Sequence, residues 1–316
     1  MTALRVGTRG SALARSQTAL VTAAVGAELD RKVETVEIVT HGDRSTAALT
    51  QIGGTGVFVS ALRDALLAGE IDLAVHSYKD LPTAPADGLV VAAVPPREDP
   101  RDVLVARDGL TLGELPAGAR IGTGSPRRAA QLRALGLGVE VVPIRGNVDT
   151  RLGKVTGGEL DAVVLARAGL ARLDRLAAVT ELLDPLQMLP APGQGALAIE
   201  CRAADAELVA ELAALDHDDS RAAVSAERSL LAALEAGCTA PVGALAEVAL
   251  GWVTAPGGRL VEGPEIFLRG TVTAADGSDA VRLSATGPVS EAAAIGRRLA
   301  AELVDAGAAT LLGSGL

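Results

Sequence analysis

Two stretches of this chain repeat one another, and no other sequence feature constrains the fold as much. Residues 5–11 read RVGTRGS and residues 120–125 read RIGTGS, each ahead of a stretch with helical composition. A second correspondence follows in the same order, GEIDLAV at 69–75 and GELDAVV at 158–164. A β-branched run, a glycine turn and a helix are typical units of α/β domains with parallel strands. We therefore predict two similar α/β lobes; the alternative is a chance similarity between short glycine turns.

Two segments rich in proline divide the chain. Residues 95–100 read PPREDP and residues 189–194 read LPAPGQ, and such clusters are typical of crossings between domains. With two crossings, the chain can return to its first lobe after the second one. Beyond residue 219 a helix, three strands and a further helix indicate a small α+β domain. The predicted domains are residues 1–96 with 196–215, residues 101–190 and residues 219–316, with a polar lid loop at 40–56.

Composition and charge exclude several functions. The chain of 316 residues is 49% apolar, which is enough for packed cores. Its formal charge is −10, and its aromatic residues, Phe58, Tyr78, Trp252 and Phe267, are too few to stack bases along a nucleic acid. The three histidines lack the spacing of a metal site, and no apolar run reaches the length of a membrane span. Since the N-terminus does not read as a signal peptide, we predict a cytoplasmic protein. From the other features we predict that it has no metal and no nucleic-acid or membrane partner.

Arginine and hydroxyl side chains gather at the turns that follow the predicted strands. The carboxyl ends of parallel strands open onto the binding crevice of an α/β sheet, and helix N-termini there favour anions. Arginine offers paired donors that match carboxylates; the alternative is that single arginines merely solvate helix faces. The turns lack the Gly-Lys-Ser/Thr ending of a P-loop and the third glycine of a dinucleotide fingerprint, so a ligand with several carboxylates fits better. The residues concerned are Arg9, Ser11, Ser125, Arg127, Arg128, Arg145, Arg151, Arg167 and Arg172.

Three further residues are candidates for chemistry. Asp80 stands beside Lys79, directly after a predicted strand, where a carboxylate can take part in acid–base catalysis; the alternative is a helix N-cap. Cys238 lies in the loop EAGCTAPVG, where small neighbours leave a thiol open to covalent attachment; the alternative is ordinary packing. Cys201 ends an apolar strand, so we predict a buried core thiol there.

As a set, these motifs resemble those of porphobilinogen deaminases, also called hydroxymethylbilane synthases. The matching stretches run in order from Arg5 to Gly243 and read GTRGS, AVHSYKDLP, PREDPRD, GTGSPRRAAQL, IRGNVDTRL, LARAGLARL, PAPGQGALAIECR and EAGCTAPVGA. The resemblance implies three domains, the first two similar to the doubly wound lobes of periplasmic binding proteins, with the active site between them. The C-terminal stretch fits the third domain of the family without a diagnostic motif.

The resemblance also implies an activity and a cofactor. A dipyrromethane, made from two porphobilinogen units, would be joined by a thioether to Cys238 in the third domain. The enzyme, a transferase and by the family a monomer, would add four porphobilinogens head to tail and release ammonia each time. Hydrolysis would then free linear hydroxymethylbilane for haem and other tetrapyrroles. The remaining alternatives are a non-catalytic two-lobed protein that binds polycarboxylates and a regulatory or structural protein with an inert Cys238.

Each pyrrole unit carries an acetate and a propionate, so the resemblance supplies the arginines with anions. By that resemblance, Asp80 is the catalytic residue: it contacts pyrrole N–H groups, stabilises the cationic azafulvene formed as ammonia leaves and assists proton transfer. The chain departs from the family pattern at Gln51 and Thr55, where lysines are common, and in the turn GTGS, which commonly reads GTSS. The resemblance assigns cofactor binding to Lys79, Thr123, Ser125, Arg127, Arg128 and Arg151, and substrate binding to Arg9, Ser11, Phe58, Arg145, Arg172 and Gln194.

Overall fold

The computed structural model describes residues 3–38, 56–236, 240–254 and 259–312, and for residues 56–58, 253, 254 and 260 it describes the backbone alone. The chain forms two compact units, the first of residues 1–98 with 195–221 and the second of residues 99–194 with 222–316. The division into three domains stays a prediction. Apart from Gly56, the predicted lid loop lies outside the described residues. No helix of the described ranges has the length and apolar character that a membrane crossing requires.

The strands and helices are numbered in chain order. The strands are β1 (Leu4–Thr8), β2 (Val33–Glu37), β3 (Leu73–Ser77), β4 (Leu89–Ala93), β5 (Asp102–Ala106), β6 (Arg120–Thr123), β7 (Glu140–Pro143), β8 (Ala162–Ala166), β9 (Glu181–Leu182), β10 (Leu197–Arg202), β11 (Val242–Thr254), β12 (Leu260–Thr273) and β13 (Ala280–Pro288). The helices are α1 (Ala12–Leu29), α2 (Gly56–Leu67), α3 (Pro126–Ala134), α4 (Val148–Thr156), α5 (Arg167–Arg172), α6 (Ala206–Leu212), α7 (Asp218–Ala233), α8 (Ala292–Asp305) and α9 (Ala308–Leu311).

Each unit contains a five-stranded sheet, and the two sheets have the same arrangement of strands. The first has the order β2-β1-β3-β10-β4 and the second has the order β7-β6-β8-β5-β9. In both, the strand that precedes the glycine turn is parallel to its two neighbours: β1 to β2 and β3, and β6 to β7 and β8. The prediction of two similar α/β lobes is confirmed.

The expectation of parallel strands is wrong at one position of each sheet. Strand β10 is antiparallel to β3 and β4, and strand β5 is antiparallel to β8 and β9. Both strands follow one of the two proline segments directly, and the strand before each segment belongs to the other sheet. Each proline segment therefore carries the chain out of one sheet and into the fourth strand of the other.

The sequence repeat is visible in the hydrogen bonds between strands. The backbone N–H of Arg5 donates to Asp72 Oδ2 over 2.9 Å, and the N–H of Asp72 donates to the Arg5 carbonyl over 2.8 Å. Arg120 and Asp161 make the same exchange in the second unit, at 2.7 and 3.0 Å. The aspartate of each repeated motif thus closes the pairing between the strand that precedes the glycine turn, β1 or β6, and the neighbouring parallel strand, β3 or β8.

The first glycine of each repeated motif packs closely against apolar side chains. A Cβ on Gly7 would overlap Ile71 Cδ1, and a Cβ on Gly122 would overlap Leu160 Cδ1. Ile71 and Leu160 occupy matching places in the two repeated motifs. An apolar side chain at the equivalent position therefore fills the space beside the glycine in each lobe.

The second unit also contains the antiparallel sheet β11-β12-β13. One face of this sheet packs with α7 and α8 around the fully buried Ile266, Leu268 and Leu299. A Cβ on Gly296 would overlap the Ala226 carbonyl oxygen, so α7 and α8 approach each other closely. This arrangement confirms the predicted small α+β part of the fold.

Candidate active site

Lys79 and Asp80 lie on a 3-10 turn at the carboxyl end of β3. The turn is fixed to the segment before β10, because the N–H of Tyr78 donates to the Ala196 carbonyl over 3.0 Å. The side chains of Lys79 and Asp80 are half-buried. The N-cap of the turn is Ser77, so Asp80 is not the cap that the alternative interpretation expected.

Arg9 and Ser11 lie at the same edge of the first sheet as Asp80. They follow β1, which pairs in parallel with β3, so the turns after these two strands are neighbours. Ser11 caps α1, its Oγ accepting the N–H of Ala14 over 3.2 Å, and Arg9 is half-buried. The first unit therefore groups two cationic side chains, a helix N-terminus and the predicted catalytic carboxylate at one edge.

A buried ionic cluster that the sequence did not predict involves β3, the strand before the Asp80 turn. Glu200 on β10 is 2% exposed and accepts hydrogen bonds from Arg63 Nε at 3.1 Å and Arg63 Nη2 at 2.8 Å. His76 Nε2 on β3 lies 3.2 Å from Glu200 Oε2. Burial opposes ionisation of Glu200, but the nearby His76 and the hydrogen bonds from Arg63 outweigh it, so the pKa of Glu200 is lowered. The cluster ties α2 and β10 to the strand that carries the Asp80 turn.

The corresponding edge of the second sheet contains the turn after β6. Thr123 is buried, and its Oγ1 accepts the N–H of Ser125 over 3.2 Å. Ser125 caps α3, its Oγ accepting the N–H of Arg128 over 3.4 Å. A Cβ on Gly124 would lie 2.7 Å from the Ile144 carbonyl oxygen. The second glycine of GTGS therefore fits a close approach to the backbone of Ile144, which a serine at this position would displace.

Arg127 and Arg128 are buried and share one carboxylate. Asp102, the first residue of β5, has no exposed surface; its Oδ2 accepts from Arg127 Nη2 and its Oδ1 from Arg128 Nη2, both at 2.8 Å. Gln194 Nε2 donates to the same Oδ1 at 2.7 Å. Burial opposes ionisation of Asp102, but the two guanidinium groups outweigh it and hold the pKa of Asp102 far below its usual range. Three predicted site residues thus surround a carboxylate that was not predicted.

The guanidinium groups of this cluster have more N–H donors than Asp102 uses. Arg127 Nη1 donates to the Leu189 carbonyl and Arg128 Nη1 to the Val164 carbonyl at 3.2 Å. The buried Nε of each arginine has no hydrogen-bond partner in the described part of the chain. An unsatisfied buried donor costs about 1–3 kcal/mol, and two arginines against one aspartate leave a net positive charge. The cluster is therefore suited to an additional anionic acceptor.

Arg151 adds a third guanidinium group to this edge. Its Nε donates to the Gly146 carbonyl at 2.9 Å, and its Nη2 lies 3.7 Å from the place of a Cβ on Gly124. Burial, and then repulsion from Arg128, lower the pKa of Arg151. Arg145, in the loop before α4, is exposed. Like charges gathered this closely favour the binding of an anion.

Arg172 belongs to the same edge of the second sheet. It is the last residue of α5, the helix that directly follows β8, and it is half-buried. Because β8 is parallel to β6, the segments after the two strands are neighbours. Arg167, the first residue of α5, lies 3.5 Å from Asp99.

The two cysteines and the lid differ in what the structure describes. Cys201 is a free thiol in the core of the first unit, where burial, and then Asp205, raise its pKa to about 11, as expected of the predicted core thiol. The side chain of Phe58 on α2 and the residues Gln51, Thr55 and Cys238 lie outside the described part of the chain.

Sequence reasoning missed Asp102, His76 and Glu200. A signal for Asp102 exists in the segment PREDPRD, because its last aspartate opens the otherwise apolar strand DVLVA. A carboxylate at the start of a buried strand requires a paired charge. Glu200 stands in the same way inside the apolar strand LAIECR.

Comparison with known proteins assigns the chain to a family. Residues 4–210 match the family model described as "Porphobilinogen deaminase, dipyromethane cofactor binding domain", and residues 221–305 match "Porphobilinogen deaminase, C-terminal domain". The chain belongs to the porphobilinogen deaminase family. It is an enzyme of tetrapyrrole synthesis with hydroxymethylbilane synthase activity and a dipyrromethane cofactor, as the resemblance implied.

Relatives in this family match nearly the whole chain. The porphobilinogen deaminase of Nocardia farcinica is 61% identical over 311 residues, which cover 98% of this chain and 88% of that protein. The porphobilinogen deaminase of Mycobacterium tuberculosis H37Rv is 60% identical over 309 residues, which cover 98% of both chains. A similar solved structure is a periplasmic substrate-binding protein of an ABC transporter from Coxiella burnetii, with 13% identity over 67% of this chain and 91% of that one and a TM-score of 0.43.

Proposed function

We propose that this member of the family builds hydroxymethylbilane from four porphobilinogen molecules on a dipyrromethane joined by a thioether to Cys238. The main support is the buried guanidinium cluster of the second unit, whose Nε donors have no acceptor among the described residues. Each pyrrole ring of the cofactor carries two carboxylates. The guanidinium groups therefore supply hydrogen-bond donors and positive charge, and the cofactor carboxylates are the matching anionic acceptors.

The donors at the edge of the second sheet fit a dipyrromethane by their chemistry. Guanidinium groups and a capped helix N-terminus bind carboxylates through charge-assisted hydrogen bonds. When bound, the dipyrromethane supplies the pyrrole ring to which the first substrate is added. We assign its carboxylates to Lys79, Thr123, Ser125, Arg127, Arg128 and Arg151.

The incoming porphobilinogen also carries carboxylates, and further cationic turns remain for it. Arg9 and Ser11 follow β1, and Arg145 and Arg172 follow β7 and β8. Gln194 contributes from within the Asp102 cluster, where its amide donates to the Pro100 carbonyl at 2.7 Å. We assign substrate binding to Arg9, Ser11, Phe58, Arg145, Arg172 and Gln194.

Asp80 is the proposed catalytic residue. Its carboxylate, on the anchored turn after β3, would hold pyrrole N–H groups, stabilise the positive charge that develops on the substrate as ammonia leaves, and assist proton transfer. Asp80→Asn keeps the size of the side chain but removes its charge, so we expect turnover to fall by about 10²–10⁴-fold with a KM close to wild type. The matched control is Asp87→Asn, an exposed aspartate on the segment that follows the turn. Near-normal turnover in Asp80→Asn would remove Asp80 from this role.

The thioether is tested by the intact mass of the protein. We expect the wild-type chain to carry the mass of a dipyrromethane and the variant Cys238→Ser to lack it, together with ammonia release from porphobilinogen. Cys201→Ser is the matched control and should keep the adduct, because the Cys201 thiol is buried and its raised pKa, about 11, disfavours the reactive thiolate. An unmodified mass in active wild-type protein would overturn the proposal.

We further propose that the enzyme is a cytoplasmic monomer with a small-molecule substrate and no nucleic-acid or membrane partner. The formal charge of −10 and the four aromatic residues support the absence of a nucleic-acid partner, since both disfavour binding to nucleic acids; the monomeric state rests on the family resemblance. Light scattering on the protein that carries its dipyrromethane measures the oligomeric state directly.

A further inference from the structure

We propose that Asp102 is a positioning residue of the active site, which sets the spacing of Arg127 and Arg128 so that both meet carboxylates of the cofactor. This proposal rests on the role proposed above for the two arginines. In this role Asp102 acts through the two arginines and not by contact with cofactor or substrate; Gln194 also donates to its carboxylate, at 2.7 Å.

Asp102 forms one hydrogen bond with each of the two arginines and does not form a bidentate pair with either. Its Oδ2 takes Arg127 Nη2 and its Oδ1 takes Arg128 Nη2, each at 2.8 Å. Neither arginine forms with it the two parallel hydrogen bonds of a bidentate pair. The carboxylate therefore holds the two guanidinium groups at a fixed spacing and leaves the Nε of each without an acceptor among the described residues.

In the first lobe, the position equivalent to Asp102 is occupied by an uncharged residue. Asp102 pairs with Ala166 at the end of β8, and Leu197 pairs with Ser77 at the end of β3. Since β3 and β8 occupy the same place in the two sheets, Leu197 is the counterpart of Asp102. Leu197 is 6% exposed, so this fold accepts a buried apolar residue at the position.

The places of the two arginines are apolar in the first lobe as well. Helices α1 and α3 align through their serine caps, whose hydroxyls accept the N–H three residues further on. Leu13 then corresponds to Arg127, and Ala14 corresponds to Arg128. Three charged residues of the second lobe thus replace three apolar residues of the first as a set. Burying charges costs desolvation that apolar residues avoid, so the set is explained by a ligand and not by the fold.

The test compares two carboxylates that each hold two arginines. Asp102→Glu keeps the charge but moves the carboxylate by one methylene group; Asp72→Glu makes the same change where Asp72 holds Arg5 and Arg202 in the first unit. The full chain is isolated without cofactor from cells that cannot make porphobilinogen. It is then incubated with porphobilinogen, and covalent loading is followed by intact mass at a temperature where circular dichroism shows each variant folded.

We expect Asp102→Glu to slow loading by about 10–100-fold, because a displacement near 1 Å in the groups that hold a reacting partner has effects of this size. Asp72→Glu should load at the wild-type rate. Once the cofactor is attached, Asp102→Glu should show a reduced kcat with an unchanged KM for porphobilinogen, since the arginines that hold the cofactor are displaced while Gln194 keeps its hydrogen bond to the Pro100 carbonyl. A change that only loosened the fold would not separate kcat from KM in this way.

A second variant copies the first lobe and separates folding from binding. The triple substitution Asp102→Leu, Arg127→Leu and Arg128→Ala replaces the charged set by its apolar counterparts. Because such replacements of buried ion pairs are often neutral or stabilising, we expect a Tm at or above that of the wild type and no covalent loading. A triple variant that does not fold would show that the fold needs the charged set, and this would overturn the proposal.

Arg127→Gln and Arg128→Gln distinguish the two levels of the proposal. If both variants load at the wild-type rate, the arginines do not hold the cofactor, and the assignment of this cluster fails together with the positioning role. If they load slowly while Asp102→Glu loads normally, the arginines keep their role and Asp102 is only a counter-charge, which overturns the present inference. Slow loading in Asp102→Glu beside normal loading in Asp72→Glu supports it.

Discussion

Asp72 and Asp102 each hold two arginines, but the two clusters are built differently. Asp72 accepts two hydrogen bonds from the Arg5 guanidinium group, through Nε at 3.1 Å and Nη2 at 2.8 Å, and one from Arg202 Nη2 at 3.1 Å. Its carboxylate is 16% exposed, and the side chains of Arg5 and Arg202 are 39% and 24% exposed. Asp102 has no exposed surface and divides its oxygens between its two arginines. The first cluster has a bidentate pair and access to solvent; the second has neither.

The repetition of the fold shows which cluster belongs to the framework. Asp161 repeats the backbone exchange of Asp72 at the same place in the second lobe, where it accepts the N–H of Arg120 at 2.7 Å. The place of Asp102 is taken in the first lobe by Leu197. In a duplicated fold, an interaction that recurs at equivalent positions supports the architecture. The Asp102 cluster does not recur, and the buried Nε donors of its two arginines have no acceptor among the described residues, so we assign it to a ligand.

The largest expected difference between the clusters is in stability. Asp102→Asn should lower the free energy of unfolding by about 3–5 kcal/mol, because it leaves two buried guanidinium groups without their counter-charge. Asp72→Asn should lower it by about 1–3 kcal/mol, and toward the lower end because water screens its partly exposed arginines. Urea unfolding followed by far-ultraviolet circular dichroism measures both.

Arg127→Gln combined with Asp102→Asn is the control for that comparison. Removing one guanidinium group together with the carboxylate restores part of the charge balance, so the double variant should be more stable than Asp102→Asn alone. Equal losses for Asp72→Asn and Asp102→Asn would mean that burial does not distinguish the clusters, and the contrast between framework and site would lose its energetic basis.

Most of the framework could be predicted from the sequence because its signals are local and repeated. The two glycine turns, their serine caps and the aspartates at Asp72 and Asp161 stand at matching places in the two motifs. The direction of β5 and β10 could not be predicted. It depends on the edge at which the chain enters the sheet after a proline segment, and the residue pattern of a strand does not record its direction.

Some residues of the candidate site could likewise be predicted from the sequence, and others could not. The arginines were predicted because they follow strands, and the carboxyl ends of parallel strands share an edge. Asp102 was not predicted, because its partners come from distant parts of the chain; Gln194 is 92 residues away in sequence. His76 and Glu200 were missed for the same reason, since each lies inside a short apolar strand whose pattern indicates burial but not a partner.

The smallest expected difference between the clusters is in their response to acid. In Asp102 and in Asp72 burial opposes ionisation, but the arginines outweigh it, and the pKa of each carboxyl is lowered, that of Asp102 much further. A carboxyl with a folded pKa below its unfolded value, about 3.9, stabilises the fold above that pH and loses this contribution as the pH falls toward the folded pKa.

The cost of Asp102→Asn should therefore shrink between pH 5 and pH 3, approaching about 1.4 kcal/mol per pH unit below the unfolded pKa, because the wild type loses what the variant already lacks. The cost of Asp72→Asn should shrink over a narrower interval and then level off, since protons reach its folded carboxylate at a higher pH. Urea unfolding at pH 5, 4 and 3 measures both slopes. A cost of Asp102→Asn that stays constant over this range would mean that Asp102 is no more ionised in the folded chain than in the unfolded one, and the bridged arginines would then lack the counter-charge that sets their spacing.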